Sequence, residues 1–127
     1  MERILLIGLG GGIGSILRYL LSLNIQSKLN NSTFPFGTII VNILGCLVIG
    51  FLSYIADVKG IFGSDIRAFL FIGLLGGFTT FSTFGNETVN LFRGGEFQLG
   101  MINISIQVIC GLISVYIGRI IAYAIWR

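Results

Sequence analysis

The stretch from Gly76 to Glu87, GGFTTFSTFGNE, sets hydroxyls, phenylalanines, an asparagine and a carboxylate inside an otherwise apolar part of the chain. On a helix, Phe81 and Phe84 lie i, i+3 on one face with Thr88 continuing it, while Thr80, Thr83 and Glu87 form a second stripe at i, i+3, i+7. An aromatic ring has a negative face and a positive edge. Ring edges beside hydroxyl and amide donors can replace the water of a small, strongly hydrated anion, where a fixed lysine would hold it too firmly to conduct. The same pair at helical spacing also serves as plain packing against lipid or core. Just upstream, Gly76-Gly77 followed by Phe78-Thr79-Thr80 makes a poor helix interior, because glycine and β-branched residues both disfavour it. A break there frees backbone carbonyls, which a membrane tolerates only where protein or a cavity buries them. Carbonyls at broken helices can hold sodium. The break is therefore either a cation site or a packing kink repaired by the Thr79 and Thr80 hydroxyls.

Two further segments carry matching polarity. Thr38 and Asn42 stand i, i+4 in an apolar run, in which a buried amide is costly unless partnered. Asn42 either ties helices together or donates to something passing. Asn103 and Gln107 repeat the i, i+4 spacing, followed by Gly111, with Ser105, Ser114 and Tyr116 on other faces. Together these present a line of neutral polar groups, a lining for an ion and not a hydrolytic site. No nucleophile–base pair, zinc constellation or phosphate loop is present. GLGGGIG near the N-terminus follows no strand, so it is not a dinucleotide fingerprint. The chain has no histidine, and Cys46 and Cys110 lie in apolar runs without CxxC spacing, as small buried hydrophobes do. An enzyme is not expected.

The elements that must position these residues are membrane helices. The 127 residues are 54% hydrophobic and 10% charged, with mean hydropathy +0.96, against about 25% charged residues in soluble domains. A helix needs about 20 mostly apolar residues to cross a bilayer, and residues 4–23, 36–55, 68–92 and 99–126 qualify. They predict an all-α membrane protein of one transmembrane domain, with the third helix broken in mid-membrane. The first run ends in no small-residue cleavage site and reads as a retained span, not a signal peptide. The +3 net charge is scattered singly, with no cluster to grip nucleic acid. Gly8-x-x-x-Gly12 and Gly10-x-x-x-Gly14 on adjoining faces of the first span allow close helix approach. The side holding both termini counts Arg3, Lys59, Arg67 and Arg127, and the other Lys28 and Arg93; Arg18 and Arg119 add one to each. So small a bias suits a chain that inserts both ways round and pairs as an antiparallel dimer.

GGFTTFSTF (Gly76–Phe84) followed by Glu87, VNILG (Val41–Gly45) and GGGIGSILRY (Gly10–Tyr19) resemble the fluoride channel family, Fluc or CrcB, and the likeness covers the whole chain. The resemblance implies a small dual-topology channel of the cell (plasma or inner) membrane. Its antiparallel dimer has two fluoride pathways, which let cytoplasmic fluoride leave down its gradient. Carried onto this chain, Phe81 and Phe84 match the pore phenylalanines and Asn42 the pore asparagine. Ser82 and Thr83 match hydroxyls along the path; Thr38, Asn103 and Gln107, read from their spacing above and not from the resemblance, complete the pore set. Gly76 and Thr79 match the residues whose carbonyls, from both subunits, hold a structural sodium ion; no organic cofactor is implied. Glu87 matches a carboxylate near the pore, and Arg18 a first-span arginine with a structural or vestibule role.

One departure stands out: the family pattern has hydroxyl residues on the fourth-span pore face, where this chain offers Asn103, Gln107 and Gly111. The partner subunit is a second copy or, where two members are encoded, a heterodimer partner. The rivals are a small dual-topology multidrug or cation transporter and a non-transporting membrane assembly subunit. The first needs an acid deep in the first span, where this chain has Arg18 instead.

Overall fold

The computed structural model describes residues 1–30 and 32–126; Arg127, counted above among the basic residues, lies outside them. Four long helical spans follow one another: α1 (Glu2–Lys28), α2 (Phe36–Lys59), a bent third span Ser64–Arg93, and a fourth, Phe97–Trp126. The third consists of α3 (residues 64–78) and α4 (Phe81–Arg93), parted at Thr79 and Thr80; the fourth is α5. All four are long and apolar enough to cross a membrane. Each helix reaches past the apolar run that marks it, α1 as far as Lys28 and α2 as far as Lys59. Apolarity reports the thickness of the bilayer, whereas the backbone ladder continues for as long as the next residue tolerates helical dihedrals. Two stretches, Ala68–Leu75 in α3 and Ile106–Cys110 in α5, wind as wide π turns with i→i+5 bonding, a feature that often accompanies functional sites.

Packing is pairwise: α1 lies along α3, and α2 along α5. Small residues permit both approaches, as expected where lipid offers no hydrophobic drive between helices. A Cβ on Gly10 would stand 2.7 Å from the Phe69 carbonyl oxygen and 2.9 Å from the Leu74 nitrogen. In the other pair, a Cβ on Gly50 would strike the Val115 carbonyl and one on Gly118 the Leu47 carbonyl. Only one of the two glycine faces read from the first span is used within the chain. Gly10 and Gly14 are buried against α3, whereas a Cβ on Gly8 or Gly12 would meet nothing within 4 Å.

The two ends of the bundle differ. At the end holding both termini, Arg3 Nε donates to Asp65 Oδ1 at 3.0 Å and Arg119 Nη2 to Asp57 Oδ2 at 3.3 Å. These exposed pairs contribute little stability, but they place Arg119 on the terminal side, as the count above assumed. Edge-to-face contacts of Phe51 with Trp126 and of Tyr54 with Tyr123 stand in the same part of the bundle, where amphipathic rings suit the lipid–water boundary. At the opposite end the α1–α2 loop is held by Gln26. Its Nε2 donates to the Ser32 and Phe34 carbonyls, and its Oε1 accepts from Gly37 N–H at 3.2 Å, one of the otherwise unpaired donors at the start of α2. Phe34, Ile39 and Leu91 form a small buried cluster beside it.

Gly10→Ala should lower the thermal midpoint of the detergent-solubilised protein by the equivalent of about 1–3 kcal/mol, because its methyl meets backbone that must move. Gly8→Ala, on the open face, should leave that midpoint unchanged or raise it. Equal effects at the two positions would contradict the pairing of α1 with α3.

Candidate functional site

The site is built on the bend. Thr79 (φ −89°, ψ 157°) and Thr80 (φ −151°, ψ 115°) are fully extended. The break expected within Gly76–Thr80 falls in its second half: the glycine pair remains helical through Phe78, and the helix resumes at Phe81. It is the β-branched threonines that open, since their side chains favour extended backbone. Two extended residues inside an apolar span release donors and acceptors that lipid cannot satisfy, and the groups of Thr79 and Thr80 find new partners. Thr79 N–H and Oγ1 both donate to the Leu75 carbonyl, at 3.0 and 2.9 Å. Thr80 caps α4: its Oγ1 accepts from Thr83 N–H at 3.2 Å and donates to Thr83 Oγ1 at 3.0 Å.

Asn42 on α2 completes the repair. Its Oδ1 accepts from Thr80 N–H at 2.8 Å and its Nδ2 donates to the Thr80 carbonyl at 3.1 Å, so one amide clamps both backbone groups of one residue. In a continuous helix Thr80 N–H would bond to the Gly76 carbonyl, which the clamp therefore frees. Three residues on, Gly45 makes room for the bend: a Cβ there would collide with the Thr79 Cγ2 methyl. VNILG is thus a seat for the broken helix.

From Asn42 a row of hydrogen bonds runs across the bundle. Asn42 Nδ2 donates to Gln107 Oε1 at 2.6 Å, and Gln107 Nε2 to Asn103 Oδ1 at 3.2 Å. Asn103 Nδ2 donates to Thr88 Oγ1 at 2.9 Å, and Thr88 Oγ1 to the Phe84 carbonyl at 2.8 Å. Asn103 is wholly buried. On the neighbouring face, Thr38 Oγ1 donates to Glu87 Oε1 at 2.7 Å, while Glu87 Oε2 is buried without a hydrogen-bond partner among the described residues. Phe81 and Phe84 meet edge to face, ring centroids 5.3 Å apart and planes at 67°. Phe84 is buried, whereas Phe81 is 81% exposed in the protomer.

Two cavities flank the bend. One of about 330 Å³ lies between α2, the bend and α5, lined by Asn42, Gly45, Gly76, Thr79, Phe81, Phe84 and Gln107. The other, about 440 Å³, lies against α1 and is lined by Ser15, Arg18, Ser22, Gln26, Thr38, Thr80 and Thr83. Thr80 lines both. Among the described residues no three His, Cys, Asp or Glu side chains gather as a transition-metal site.

Residues 5–119 match the family model described as CrcB-like protein, Camphor Resistance (CrcB). The chain belongs to the CrcB family. Its relatives include a "Fluoride-specific ion channel FluC" of Clostridium novyi, 43% identical over 122 residues, spanning 94% of either chain. One of the same name in Phocaeicola vulgatus is 46% identical over 118 residues, covering 93% of this chain and 96% of the relative. A "Fluoride-specific ion channel FluC 1" of Methanosarcina acetivorans is 43% identical over 122 residues, covering 96% and 92%. This CrcB protein is therefore a multi-pass membrane protein and not an enzyme.

The structure gathers the pore set read from the sequence around one bend. Asn42, Phe81, Phe84 and Gln107 share the first cavity, Thr38 and Thr83 the second, and Asn103 supports Gln107 from behind. Ser82, at the outer edge of the group, lies 3.3 Å from Thr80 Oγ1. Gly45 and the α1 residues Ser15, Ser22 and Gln26 were not singled out by the sequence reading, and Thr88 was named only as continuing the ring face. Gly45 seats Thr79; its spacing of i+3 from Asn42 was the available signal. Thr88 closes the hydrogen-bond row. Ser15, Ser22 and Gln26 join Arg18 at i−3, i+4 and i+8, a polar stripe on α1 that spacing alone displays.

Gly45→Ala should destabilise the CrcB protein by about 1–3 kcal/mol through the collision with Thr79. Thr79→Ser removes the methyl that is struck and keeps the hydroxyl bonded to Leu75, so the double variant should regain most of that loss in a thermal-unfolding series. Additive losses would show that Gly45 does not seat the bend.

Proposed function

We propose that this chain is a fluoride-selective channel that lets cytoplasmic fluoride leave passively across the cell membrane, relieving its toxicity. The observation that carries this reading is the make-up of the first cavity. The rings of Phe81 and Phe84 stand beside amides and hydroxyls, with no lysine, arginine or carboxylate in the lining. Such a wall stabilises a small anion through positive ring edges and neutral donors, weakly enough for it to move on. Relatives named as fluoride-specific channels, at 43–46% identity over nearly the whole chain, supply the ion's identity. Thr38, Ser82 and Thr83 provide hydroxyls along the path and Gln107 an amide; Asn42 and Asn103 form the wall that carries them. Arg18 stands in the second cavity, where a cation beside hydroxyls draws anions toward the bend. Glu87, held by Thr38, borders the path.

The working unit in this proposal is an antiparallel dimer, a second copy or a close paralogue inserted the other way round. The near balance of basic residues between the two sides suits dual insertion. The exposed Phe81 ring is a surface that such a partner would cover. A structural sodium ion at the dimer centre fits the chemistry of the bend. The Gly76 carbonyl loses its helical donor to the Asn42 clamp, and both Gly76 and Thr79 line the cavity. These carbonyls and their counterparts from the second subunit would hold the ion, which would supply a fixed charge and a tie between protomers.

Protein reconstituted in vesicles should dissipate a fluoride gradient, read with a fluoride electrode, and leave a chloride gradient standing. Equal passage of chloride refutes the selectivity reading. No flux of either ion leaves the polar residues as helix glue in a non-transporting subunit. Phe81→Ile or Phe84→Ile should lower fluoride flux by about fivefold or more, the rate equivalent of a lost edge contact of roughly 1 kcal/mol, while the protein elutes unchanged on size exclusion. Undiminished flux in both variants returns the rings to packing.

A further inference from the structure

We propose that Asn103 and Gln107 are positioning residues. With Asn42 they form a one-way amide relay that fixes the backbone of the bend and thereby the stance of the Phe81 and Phe84 rings. The consequence for transport rests on the channel reading above; the relay itself stands on geometry.

The direction of the relay is forced from its first atom. A backbone nitrogen only donates, so Asn42 must turn Oδ1 toward Thr80 N–H, which leaves Nδ2 for its other neighbours. Gln107 must then present Oε1 to Asn42 and pass Nε2 to Asn103 Oδ1. Asn103 in turn gives Nδ2 to Thr88, whose hydroxyl proton ends on the Phe84 carbonyl. Reversing any one amide sets donor against donor or acceptor against acceptor. In a low-dielectric interior, such a mismatch costs as much as a buried group left unpaired. Asn103 is wholly buried, so no water substitutes for its partners.

The relay leaves the third span at Thr80 and returns to it at Phe84, the two backbone positions that bracket the ring pair. It crosses α2 and α5 between them. Asn42 has no amide proton left: one goes to the Thr80 carbonyl and the other to Gln107. Its influence on a passing anion therefore runs through the backbone it clamps, and the clamp is oriented from α5. Two amides on the fourth span thus hold the channel wall in shape, Gln107 from within the lining and Asn103 from behind it.

Two readouts test this. In vesicle efflux, Gln107→Met, which keeps length and loses both hydrogen bonds, should reduce fluoride flux about tenfold. Combined with Asn42→Leu, it should add less than about twofold to the loss from Asn42→Leu alone, because the two act in series. Losses that multiply would overturn the relay. Independently of transport, Thr80 N–H should exchange with deuterium about tenfold faster in Gln107→Met than in wild type. Gln107→Glu, which as the neutral acid both accepts from Asn42 and donates to Asn103, should restore slow exchange. Exchange at Thr80 that is unchanged by Gln107→Met, or fast in Gln107→Glu, overturns the proposal. Should wild-type vesicles pass no fluoride, the channel reading fails, and the exchange rates alone decide the relay.

Discussion

A membrane offers no water to an exposed peptide group, and the third span exposes several. Two extended threonines interrupt its ladder, and every neighbouring oddity of the sequence makes sense as an answer to that interruption. Thr79 folds its hydroxyl back onto Leu75, Thr80 caps the restarted helix, and Asn42 reaches across from α2 to hold both polar groups of Thr80. Gly45 is small so that Thr79 has somewhere to sit. The glycines that bring α1 and α3 together place the same bend against a second polar surface, that of Ser15, Arg18 and Ser22. A break that cost several unsatisfied groups would not survive; this one survives because the side chains of Asn42, Thr79 and Thr80 are committed to it.

That commitment also separates charge from the place where neutrality is needed. Arg3 and Arg119 are turned to aspartates at the end of the bundle. Arg18 faces the cavity beside α1 and not the one beside Phe81. No lysine, arginine or carboxylate lines the cavity at the ring pair, where the amides of Asn42 and Gln107 and the Thr79 and Thr80 hydroxyls stand among apolar side chains. Support for that lining comes from behind, through buried Asn103 on α5.

Much of this was legible in the sequence, because the strongest signals there are physical necessities. Four apolar runs without charge pairs have few fates other than four spans, and Gly-Gly-Phe-Thr-Thr announces a weak helix. The residues drawn together at the bend were nearly all chosen for being polar where polarity is expensive. What sequence could not give was the partner of each. The i, i+4 spacing of Asn103 and Gln107 shows that they share a face, but not that the face looks at Asn42; that depends on the pairing of α2 with α5, set by Gly50 and Gly118. Within Gly76–Thr80 the sequence did not say which residues would open; the β-branched threonines did, and the glycine pair stayed helical. Of the two glycine pairs in α1, spacing alone could not say that Gly10 and Gly14 face the protomer while Gly8 and Gly12 face away.

Asn42 holds the Thr80 peptide open, and one distance tests it. In protein labelled with ¹⁵N in asparagine side chains and ¹³C at threonine carbonyls, solid-state NMR in lipid bilayers should show dipolar coupling between Asn42 Nδ2 and the Thr80 carbonyl, matching an N···O separation of 3.1 Å. The absence of that coupling, with Thr80 N–H instead bonded to the Gly76 carbonyl in an unbroken helix, would contradict the account.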